Sequence, residues 1–434
     1  MANAQRRIRS LASLLAQLHQ RLNLAFGFRL WDGSLIPSDW PATALAVAIA
    51  DEGAVAALVR APRITTLANL WAAKRIDIVN GTLLDLVANR PQGRTRDITR
   101  SVGRPRALKT ALDFLFVPRG GPWPLEAIAP ERRGGGAPDD NKKDIAHHYD
   151  VSNAFYRLWL DREMVYSCGY FHDWDDDLDT AQNQKLDMVC RKLRLRPGDR
   201  VLDIGCGWGA FACHAALHYG VTVHGVTLSE QQIALATEKV ERLGLADRVS
   251  LELIDYALLA GEGRFDKIAS IGMFEHIGLD NFDAYFEIVR RLLKPGGLFL
   301  HHAITRPGGS RTARTGRRRA DFAALTRYVF PGGELDYIGR TVTNLERNGF
   351  EIHDVEGWRE HYQRTCKFWH DRLVANYDAA CREVGEVTTR VWIAYLAACS
   401  ITFQRNNAGI YQTLASRRLK GPVGLPPTRA DLYR

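Results

Sequence analysis

The sequence lacks a run of about 20 apolar residues, the length that a helix needs to span a bilayer. Its most apolar window, Ala42 to Val59, is interrupted by the acidic pair Asp51 and Glu52 and by Gly53. The arginines near the N-terminus are followed by polar residues, which makes this segment a poor signal peptide and favours an amphipathic helix. We therefore expect no transmembrane helix and a cytoplasmic protein.

Cysteine is also scarce, which excludes two further classes. The seven cysteines are widely spaced among 434 residues, and none of them forms a Cys-x-x-Cys pair. This argues against a disulfide framework and a structural zinc site, so we expect a reducing compartment and no metal. The net charge of +9 suits an anionic partner such as a membrane surface. We expect no nucleic acid partner, because no helix-turn-helix or zinc-finger pattern is present.

The length of the chain suggests two domains. Residues 1–117 predict a mainly helical domain with a strand-like segment at Phe26–Trp31, and residues 118–143 are rich in proline, glycine and charge, as a linker is. Over 144–434 apolar strands alternate with helical patterns, which predicts an α/β, doubly wound parallel sheet. The predicted strands are Arg200–Ile204, Val221–Val226, Val249–Ile254, Lys267–Ile271 and Leu298–Ile304, and a helix is predicted over Thr388–Gln404.

A glycine-rich turn follows the first of these strands. Gly205, Gly207 and Gly209 alternate with other residues, and glycine lets the backbone approach a ligand closely at the carboxyl end of a strand. Such a loop suits NAD, FAD or S-adenosylmethionine. The spacing lacks the last glycine of the dinucleotide fingerprint. Asp203, two residues before the first glycine, is typical of methyltransferases.

Six segments carry a resemblance to one family. The chain from about His147 to its C-terminus, roughly two thirds of the whole, resembles the cyclopropane-fatty-acyl-phospholipid synthases and the related mycolic acid cyclopropane synthases. This implies a class I S-adenosylmethionine-dependent methyltransferase (Rossmann-like) fold with an N-terminal, mainly helical accessory domain. The segments are His148–Asp150, Tyr166–Phe171, Gly205–Gly209, Gly225–Ser229, Gly272–Gly278 and Phe330–Gly333.

The resemblance also implies cofactor contacts. Tyr166 and Ser167 would flank the methionine end of S-adenosylmethionine, the glycine loop would wrap the cofactor, and Asp255 and Tyr256 would flank the adenine. The implied cofactor-binding residues are Tyr166, Ser167, Asp203, Gly205, Cys206, Gly207, Gly209, Thr227, Leu228, Ser229, Gln232, Asp255 and Tyr256.

The implied reaction needs a base and an apolar environment. When an alkene attacks the sulfonium methyl group, a carbocation remains that must be kept from water and must lose one proton. In the family a bound bicarbonate ion removes this proton. The resemblance implies that Glu275, His302 and Tyr362 hold the ion by side chains and that Cys168 and Ile304 contribute backbone groups. Aromatic faces could stabilise the cation, although most are expected to be core: Tyr166, Tyr170, Phe171, Phe274, Tyr328, Tyr362, Phe368 and Trp369.

Cys399 is a candidate of a different kind. It shares one predicted helical face with Trp392, Tyr395, Leu396 and Phe403, where a cysteine is most often simple packing. The family has a cysteine in this helix that is often assigned to the active site, but the reaction needs no thiol nucleophile. We expect Cys399 near the tunnel and tolerant of serine.

A basic stretch follows the last predicted strand. Clustered arginines suit phosphate headgroups and anionic leaflets, although a solvated loop is an equal alternative. The first interpretation makes the protein a peripheral one on the inner face of the membrane, acting on an unsaturated phospholipid, and a homodimer is compatible with the resemblance. The arginines are Arg306, Arg311, Arg314, Arg317, Arg318 and Arg319.

Related activities remain open. Fatty-acyl methyltransferases that leave a methylated or methylenated chain, and small-molecule amine N-methyltransferases, share most of these motifs. A non-catalytic lipid-binding protein on the same fold is disfavoured because the glycine loop and Glu275 are intact.

Overall fold

The computed structural model describes residues 2–90, 104–128, 151–308 and 334–433, and contacts among Cα atoms divide them into two units. The first holds the described residues before 129 together with Gly385–Ala397, and the second holds the rest. The first part of the expected linker, residues 118–128, belongs to the first unit in this division. Arg119 O accepts a 2.7 Å hydrogen bond from Arg75 Nη2, and Leu125 N donates one of 2.9 Å to Asn69 Oδ1.

The first unit is mainly helical and contains a small sheet. Strand order is β2-β1-β3-β4, with β1 Gly27–Arg29, β2 Leu35–Ile36, β3 Ala46–Ile49 and β4 Ile76–Val79. The first strand falls within the predicted segment, whereas the other three were not predicted because each spans only two to four residues. The helices are α1 Ala2–Leu22, α2 Glu52–Arg60, α3 Ile64–Ala72, α4 Leu83–Ala88, α5 Arg104–Leu115 and α6 Pro124–Ile128.

The second unit is built on a seven-stranded sheet. Its order is β10-β11-β9-β8-β5-β6-β7, where β5 to β9 pair in parallel and β10 and β11 add an antiparallel pair. This is the doubly wound α/β arrangement that the sequence predicts. The strands are β5 Arg200–Ile204, β6 Thr222–Thr227, β7 Val249–Leu253, β8 Phe265–Ile271, β9 Leu293–Thr305, β10 Phe350–Gly357 and β11 Gly409–Arg417.

Helices cover both faces of this sheet. One apolar cluster packs β5 and β6 against α8 and α9, and another packs β8 and β9 against α11. The α-helices are α7 Asn153–Arg157, α8 Leu178–Lys192, α9 Ala210–Tyr219, α10 Glu230–Arg242, α11 Phe282–Leu292, α12 Ile338–Arg347, α13 Arg359–Ala375, α14 Tyr377–Val384 and α15 Glu386–Gln404, whose first part belongs to the first unit. Short 3₁₀ turns lie at Tyr256–Leu258, Phe274–His276, Leu279–Asn281 and Ala430–Tyr433.

The strand order places a crevice at the carboxyl ends of the parallel strands. The chain winds outward in both directions from β5, and ligands of open α/β sheets bind where the winding direction switches. No helix in the described ranges combines the length and apolar content required to cross a bilayer.

Candidate active site

A cavity of about 290 Å³ opens at this switch point. Its wall contains eleven of the thirteen residues expected to contact the cofactor: Tyr166, Ser167, Asp203, Gly205, Cys206, Gly207, Thr227, Leu228, Gln232, Asp255 and Tyr256. The other two, Gly209 and Ser229, lie just outside this wall at the N-caps of α9 and α10. Ser229 Oγ accepts a hydrogen bond from Gln232 N (3.3 Å), so it shapes the turn that presents Gln232.

The glycine loop leaves room for a ligand. Gly205 and Gly207 have φ angles of 81° and 54°, which side-chain-bearing residues rarely adopt. A Cβ atom at Gly207 would meet no atom within 4 Å, whereas one at Gly205 would lie 3.0 Å from Met273 Cβ. Val226 O accepts hydrogen bonds from the N–H groups of Gly205 and Cys206 (2.9 and 3.0 Å), which fixes the turn.

One part of the cavity wall suits a nucleoside. Thr227 Oγ1 donates a 3.0 Å hydrogen bond to Gln232 Oε1. Asp255 Oδ1 accepts from Ala257 N (2.9 Å), and the Tyr256 ring meets Tyr285 edge-on at 5.5 Å. Aliphatic side chains complete this part of the wall: Ile254, Ile271, Ile277 and Ile288.

Charged groups also line the cavity. Asp203 is buried, and burial raises the pKa of its carboxyl to about 7 although the Lys185 ammonium opposes the shift. Lys185, on α8, donates a 3.0 Å hydrogen bond to Ser167 Oγ. The cavity thus combines apolar and hydrogen-bonding surface with a buried cation and a buried carboxyl group. This composition fits S-adenosylmethionine, which carries an adenosine and a zwitterionic amino acid.

Glu275 is held in a buried position beside the sheet. It lies in the 3₁₀ turn after β8, and its Oε1 accepts a 2.6 Å hydrogen bond from Ile304 N. Its Oε2 is buried and has no hydrogen-bond partner among the described residues. Burial raises the pKa of this carboxyl to about 7, although the Ile304 N–H opposes the shift. The backbone N–H of Ile304 therefore orients Glu275. This role differs from the contact with the ion that was expected for Ile304.

Like Glu275, His302 has one side-chain atom with a hydrogen-bond partner and one without a partner in the described ranges. Its Nδ1 lies 2.9 Å from the amide nitrogen of Gln412, on the neighbouring strand β11, while its Nε2 is buried without a hydrogen-bond partner in the described ranges. Burial, with a smaller contribution from Lys185 and Lys192, lowers the pKa of His302 well below its usual value. The ring is therefore neutral. Because the amide nitrogen can only donate, Nδ1 accepts and Nε2 carries the proton.

Cys168 and Tyr362 both contact the backbone carbonyl of Trp358. The Cys168 thiol is buried 3.8 Å from Trp358 O, and the Trp358 ring meets His302 edge-on at 5.2 Å. Burial raises the pKa of Tyr362 well above 10, with smaller effects from neighbours that include Cys168 and Cys399. The structure thus brings Glu275 and Ile304 together and connects Cys168 to His302 through Trp358. Cys399 is half-buried near Tyr362.

The aromatic candidates divide into two groups. Tyr166 lies 5.1 Å from the Trp369 ring, which also meets Tyr362 edge-on at 5.9 Å. Phe274, by contrast, stacks on Phe282 at 3.9 Å within the core cluster beside α11. Tyr170 stacks on His361, and Phe171 on Phe368. Tyr328 lies outside the described residues.

Of the six arginines in the predicted basic stretch, Arg306 lies within the described residues. Arg306 Nε donates a 3.0 Å hydrogen bond to Leu335 O, and its guanidinium lies 5.3 Å from the Tyr337 ring. This arginine is therefore packed against its own chain. Arg311, Arg314 and Arg317–Arg319 fall outside the described residues, as do the His148–Asp150 and Phe330–Gly333 segments.

Two residues of the site, Lys185 and Gln412, were not predicted from the sequence. Lys185 lies in a helix whose charged residues are typical of a solvated surface, and Gln412 lies in an antiparallel strand that was not predicted. The spacing of Gln182 and Lys185, three residues apart on α8, was the available signal. Both side chains reach Ser167, through its O (2.8 Å) and its Oγ (3.0 Å).

Comparisons with known proteins agree with this geometry. A family model described as mycolic acid cyclopropane synthetase matches residues 137–413. The chain is 43% identical over 315 residues to a probable fatty acid methyltransferase of Pseudomonas putida, covering 70% of this chain and 77% of that protein. It is 38% identical over 273 residues to the cyclopropane-fatty-acyl-phospholipid synthase of Escherichia coli K12, covering 62% of this chain and 66% of that protein.

A solved structure of a mycolic acid cyclopropane synthase shares the fold. This protein, CmaA1, was crystallised in complex with SAH (S-adenosylhomocysteine) and CTAB, and it superposes with a TM-score of 0.59 at 32% identity. The superposition covers 63% of this chain and 98% of that one.

Proposed function

The chain belongs to the mycolic acid cyclopropane synthetase family, and we propose that it closes a cyclopropane ring on a cis double bond of an unsaturated phospholipid acyl chain. The carbon comes from S-adenosylmethionine, and a bound bicarbonate ion serves as the base. The cofactor is supported by the SAH complex of the related synthase and by the cavity beside the glycine loop. The acyl acceptor is supported by the names of the E. coli and P. putida relatives.

The residues around the cavity have three tasks in this reaction. When bound, S-adenosylmethionine supplies an electrophilic methyl group. Gly205, Gly207 and Asp203 give it room and polar contact at one part of the wall, while Thr227 and Gln232 present hydrogen-bonding groups at another. The aromatic side chains around Tyr166 and Trp369 exclude water from the cationic acyl chain and offer π faces to its charge.

The proposed bicarbonate site is supported by two buried atoms without a hydrogen-bond partner among the described residues, one on Glu275 and one on His302. Glu275 Oε2 is a hydrogen-bond acceptor when ionised, and His302 Nε2–H is a donor; both are buried, and neither has a partner among the described residues. Bicarbonate offers both an O–H donor and oxygen acceptors, so it matches this pair. Held there, the ion would supply the base that takes the proton.

An incubation with vesicles tests the proposal. The purified protein would be combined with S-adenosylmethionine and a cis-monounsaturated phospholipid, with bicarbonate present or carefully removed, and the fatty acid methyl esters would be analysed. We expect a product that gains one CH₂ and loses the double bond, in an amount that depends on bicarbonate. A ring formed at the same rate without bicarbonate would reject the ion as base while leaving the synthase assignment intact.

The alternative that a specific observation favours is a fatty acid methyltransferase, because the P. putida relative carries that name. Such an enzyme would add the carbon but release an alkene, as a methylenated chain, and a methylated chain would form only if a separate hydride donor then reduced that alkene. The methylenated chain has the same mass as the cyclopropane but reacts with a double-bond reagent, whereas the reduced methylated chain is heavier by two hydrogen atoms, so the same ester analysis separates the three products.

We also propose that the protein meets its acceptor at an anionic membrane surface. The net charge of +9 and the run of arginines after β9 support this contact. The expected result is salt-sensitive binding to vesicles with anionic headgroups. Replacement of Arg311, Arg314 and Arg317–Arg319 by glutamine should weaken that binding, and unchanged binding would reject a role for the run.

A further inference from the structure

Lys185 is a buried ammonium group in the wall of the cofactor cavity. The residue is 2% exposed, and its Nζ donates to Ser167 Oγ at 3.0 Å. Within the described part of the chain no carboxylate lies within ion-pair distance (4.0 Å) of Nζ. A buried charge is costly unless an opposite charge compensates it. Among the described residues, Lys185 therefore lacks an anion in direct contact with it.

The nearby carboxyl groups do not supply this anion. Asp161 is occupied, because its two oxygens accept from the N–H groups of Val165 and Glu163 at 2.9 Å each. Asp203 lines the same cavity as Lys185 without touching it, and burial raises the pKa of its carboxyl to about 7. Burial lowers the pKa of Lys185 to about 8, against the opposing effects of Asp161, Cys168 and Asp203. Lys185 and Asp203 therefore influence each other's charge without forming a direct ion pair.

We propose that Lys185, together with the Ser167 hydroxyl that it contacts, binds the α-carboxylate of the amino acid part of S-adenosylmethionine. That part of the cofactor is a zwitterion, so its carboxylate compensates Lys185 and its ammonium compensates Asp203. The isoleucines and tyrosines elsewhere in the wall suit the uncharged adenosine. The inference rests on the cofactor half of the proposed function and is independent of the acyl acceptor.

Two ligands separate carboxylate recognition from general damage to the cavity. S-adenosylhomocysteine carries the amino acid, whereas 5′-methylthioadenosine keeps the adenosine and lacks it. Calorimetric titration would give both dissociation constants for the wild type, Lys185→Met and Lys185→Arg. We expect Lys185→Met to weaken S-adenosylhomocysteine about tenfold or more and 5′-methylthioadenosine less than about twofold. Lys185→Arg, which keeps the charge, should restore most of the preference.

Lys192 provides the matched control. It is the other buried lysine of α8, at 1% exposure, but it pairs with Glu356, lies over the Trp358 ring and is absent from the cavity wall. Lys192→Met should change the ratio of the two dissociation constants less than about twofold, even if the melting temperature falls. Equal weakening of both ligands by Lys185→Met, or an unchanged ratio, would overturn the proposal.

A second variant covers the case in which Lys185→Met does not fold. Lys185→Gln keeps an N–H donor, on a side chain one bond shorter, so the site stays polar while the charge is lost. The same loss of preference for S-adenosylhomocysteine is expected, and its retention would reject the role of the charge. These titrations need no acyl acceptor. A result that rejects the role of Lys185 would therefore not reject ring closure, and an enzyme that forms no ring could still be titrated with both ligands.

Discussion

The carboxylate of Glu275 is fixed by the backbone of Ile304. Glu275 Oε1 accepts a 2.6 Å hydrogen bond from Ile304 N, two residues after His302 on the same strand. Alternate residues of a strand point to the same face, so His302 and Ile304 share one face of β9. This geometry ties the glutamate to the strand that carries the histidine and leaves Oε2 without a hydrogen-bond partner in the described part of the chain.

We first predict that Glu275→Gln abolishes most of the activity without loss of structure. The amide oxygen of glutamine can still accept from Ile304 N, but the amide nitrogen replaces an acceptor by a donor where the ion would bind. Because a positioned base contributes about 10²-fold or more, kcat should fall by about 100-fold or more. Glu287→Gln, an exposed position on α11, is the control and should retain activity. Comparable kcat values for the two variants would contradict the prediction.

The same substitution should have a pH-dependent effect on stability. Burial raises the pKa of Glu275 from 4.5 to about 7, so the unfolded chain releases this proton at a lower pH than the folded protein. The wild type therefore loses stability as pH rises between about 4.5 and 7, by on the order of 3 kcal/mol for this group. Glutamine does not titrate. The melting temperature of Glu275→Gln relative to the wild type should rise from pH 5 to pH 8, and a constant difference would show that Glu275 has an ordinary pKa.

Gln412 should determine which nitrogen of His302 carries the proton. Its amide nitrogen donates to Nδ1 at 2.9 Å and so leaves the proton on Nε2. In Gln412→Glu the carboxylate would draw the proton to Nδ1, which removes the donor from the open side or charges the ring. We expect kcat to fall by about tenfold or more with little change in cofactor affinity. Gln412→Met, which imposes no tautomer, should lose less, and the reverse ranking would argue against tautomer control.

The sequence predicts those parts of the fold whose pattern is contained in a few neighbouring residues. Arg200–Ile204 is a strand with the same bounds in the structure, because a continuous apolar run between a charged residue and glycine is a local pattern. The strands β10 and β11 give no such run. Gln412 reaches His302 only through the antiparallel pairing of β11 with β9. Lys185 has the sequence context of a surface helix, and only the packing of α8 against α9 and β5 places its ammonium in the cavity.

Cys399 should be dispensable for chemistry. It is half-buried on α15, and Tyr362 and Cys366 are its neighbours. Because ring closure needs no thiol nucleophile and serine differs from cysteine by one atom, Cys399→Ser should keep activity within about threefold of the wild type. Cys381→Ser, on α14, is the matched control for loss of a thiol. Activity abolished by Cys399→Ser but retained by Glu275→Gln would reverse the assignment of the two residues.

Within the first unit, Arg390 should contribute far more stability than the neighbouring surface ion pair. Arg390 is 4% exposed at its side chain; its Nη2 donates to Asp77 Oδ1 at 2.9 Å, and its Nε donates to Trp71 O at 2.7 Å. Its guanidinium also lies 3.9 Å from the centre of the Trp71 ring. Arg390→Met leaves Asp77 unpaired and removes these donors, so the free energy of unfolding of this unit should fall by about 3 kcal/mol or more.

The exposed pair formed by Lys74 and Glu386 is the contrasting case. Its members are 51% and 47% exposed at their side chains, and their 2.9 Å contact is screened by solvent. Lys74→Met should cost less than about 1 kcal/mol. Urea titration followed by circular dichroism and tryptophan fluorescence would measure the free energy of unfolding of both variants under the same conditions. Equal losses for the two would mean that the desolvation cost of Arg390 cancels its contacts, whereas the expected difference would identify the Arg390–Asp77 pair as a buried anchor of residues 385–397 within the first unit.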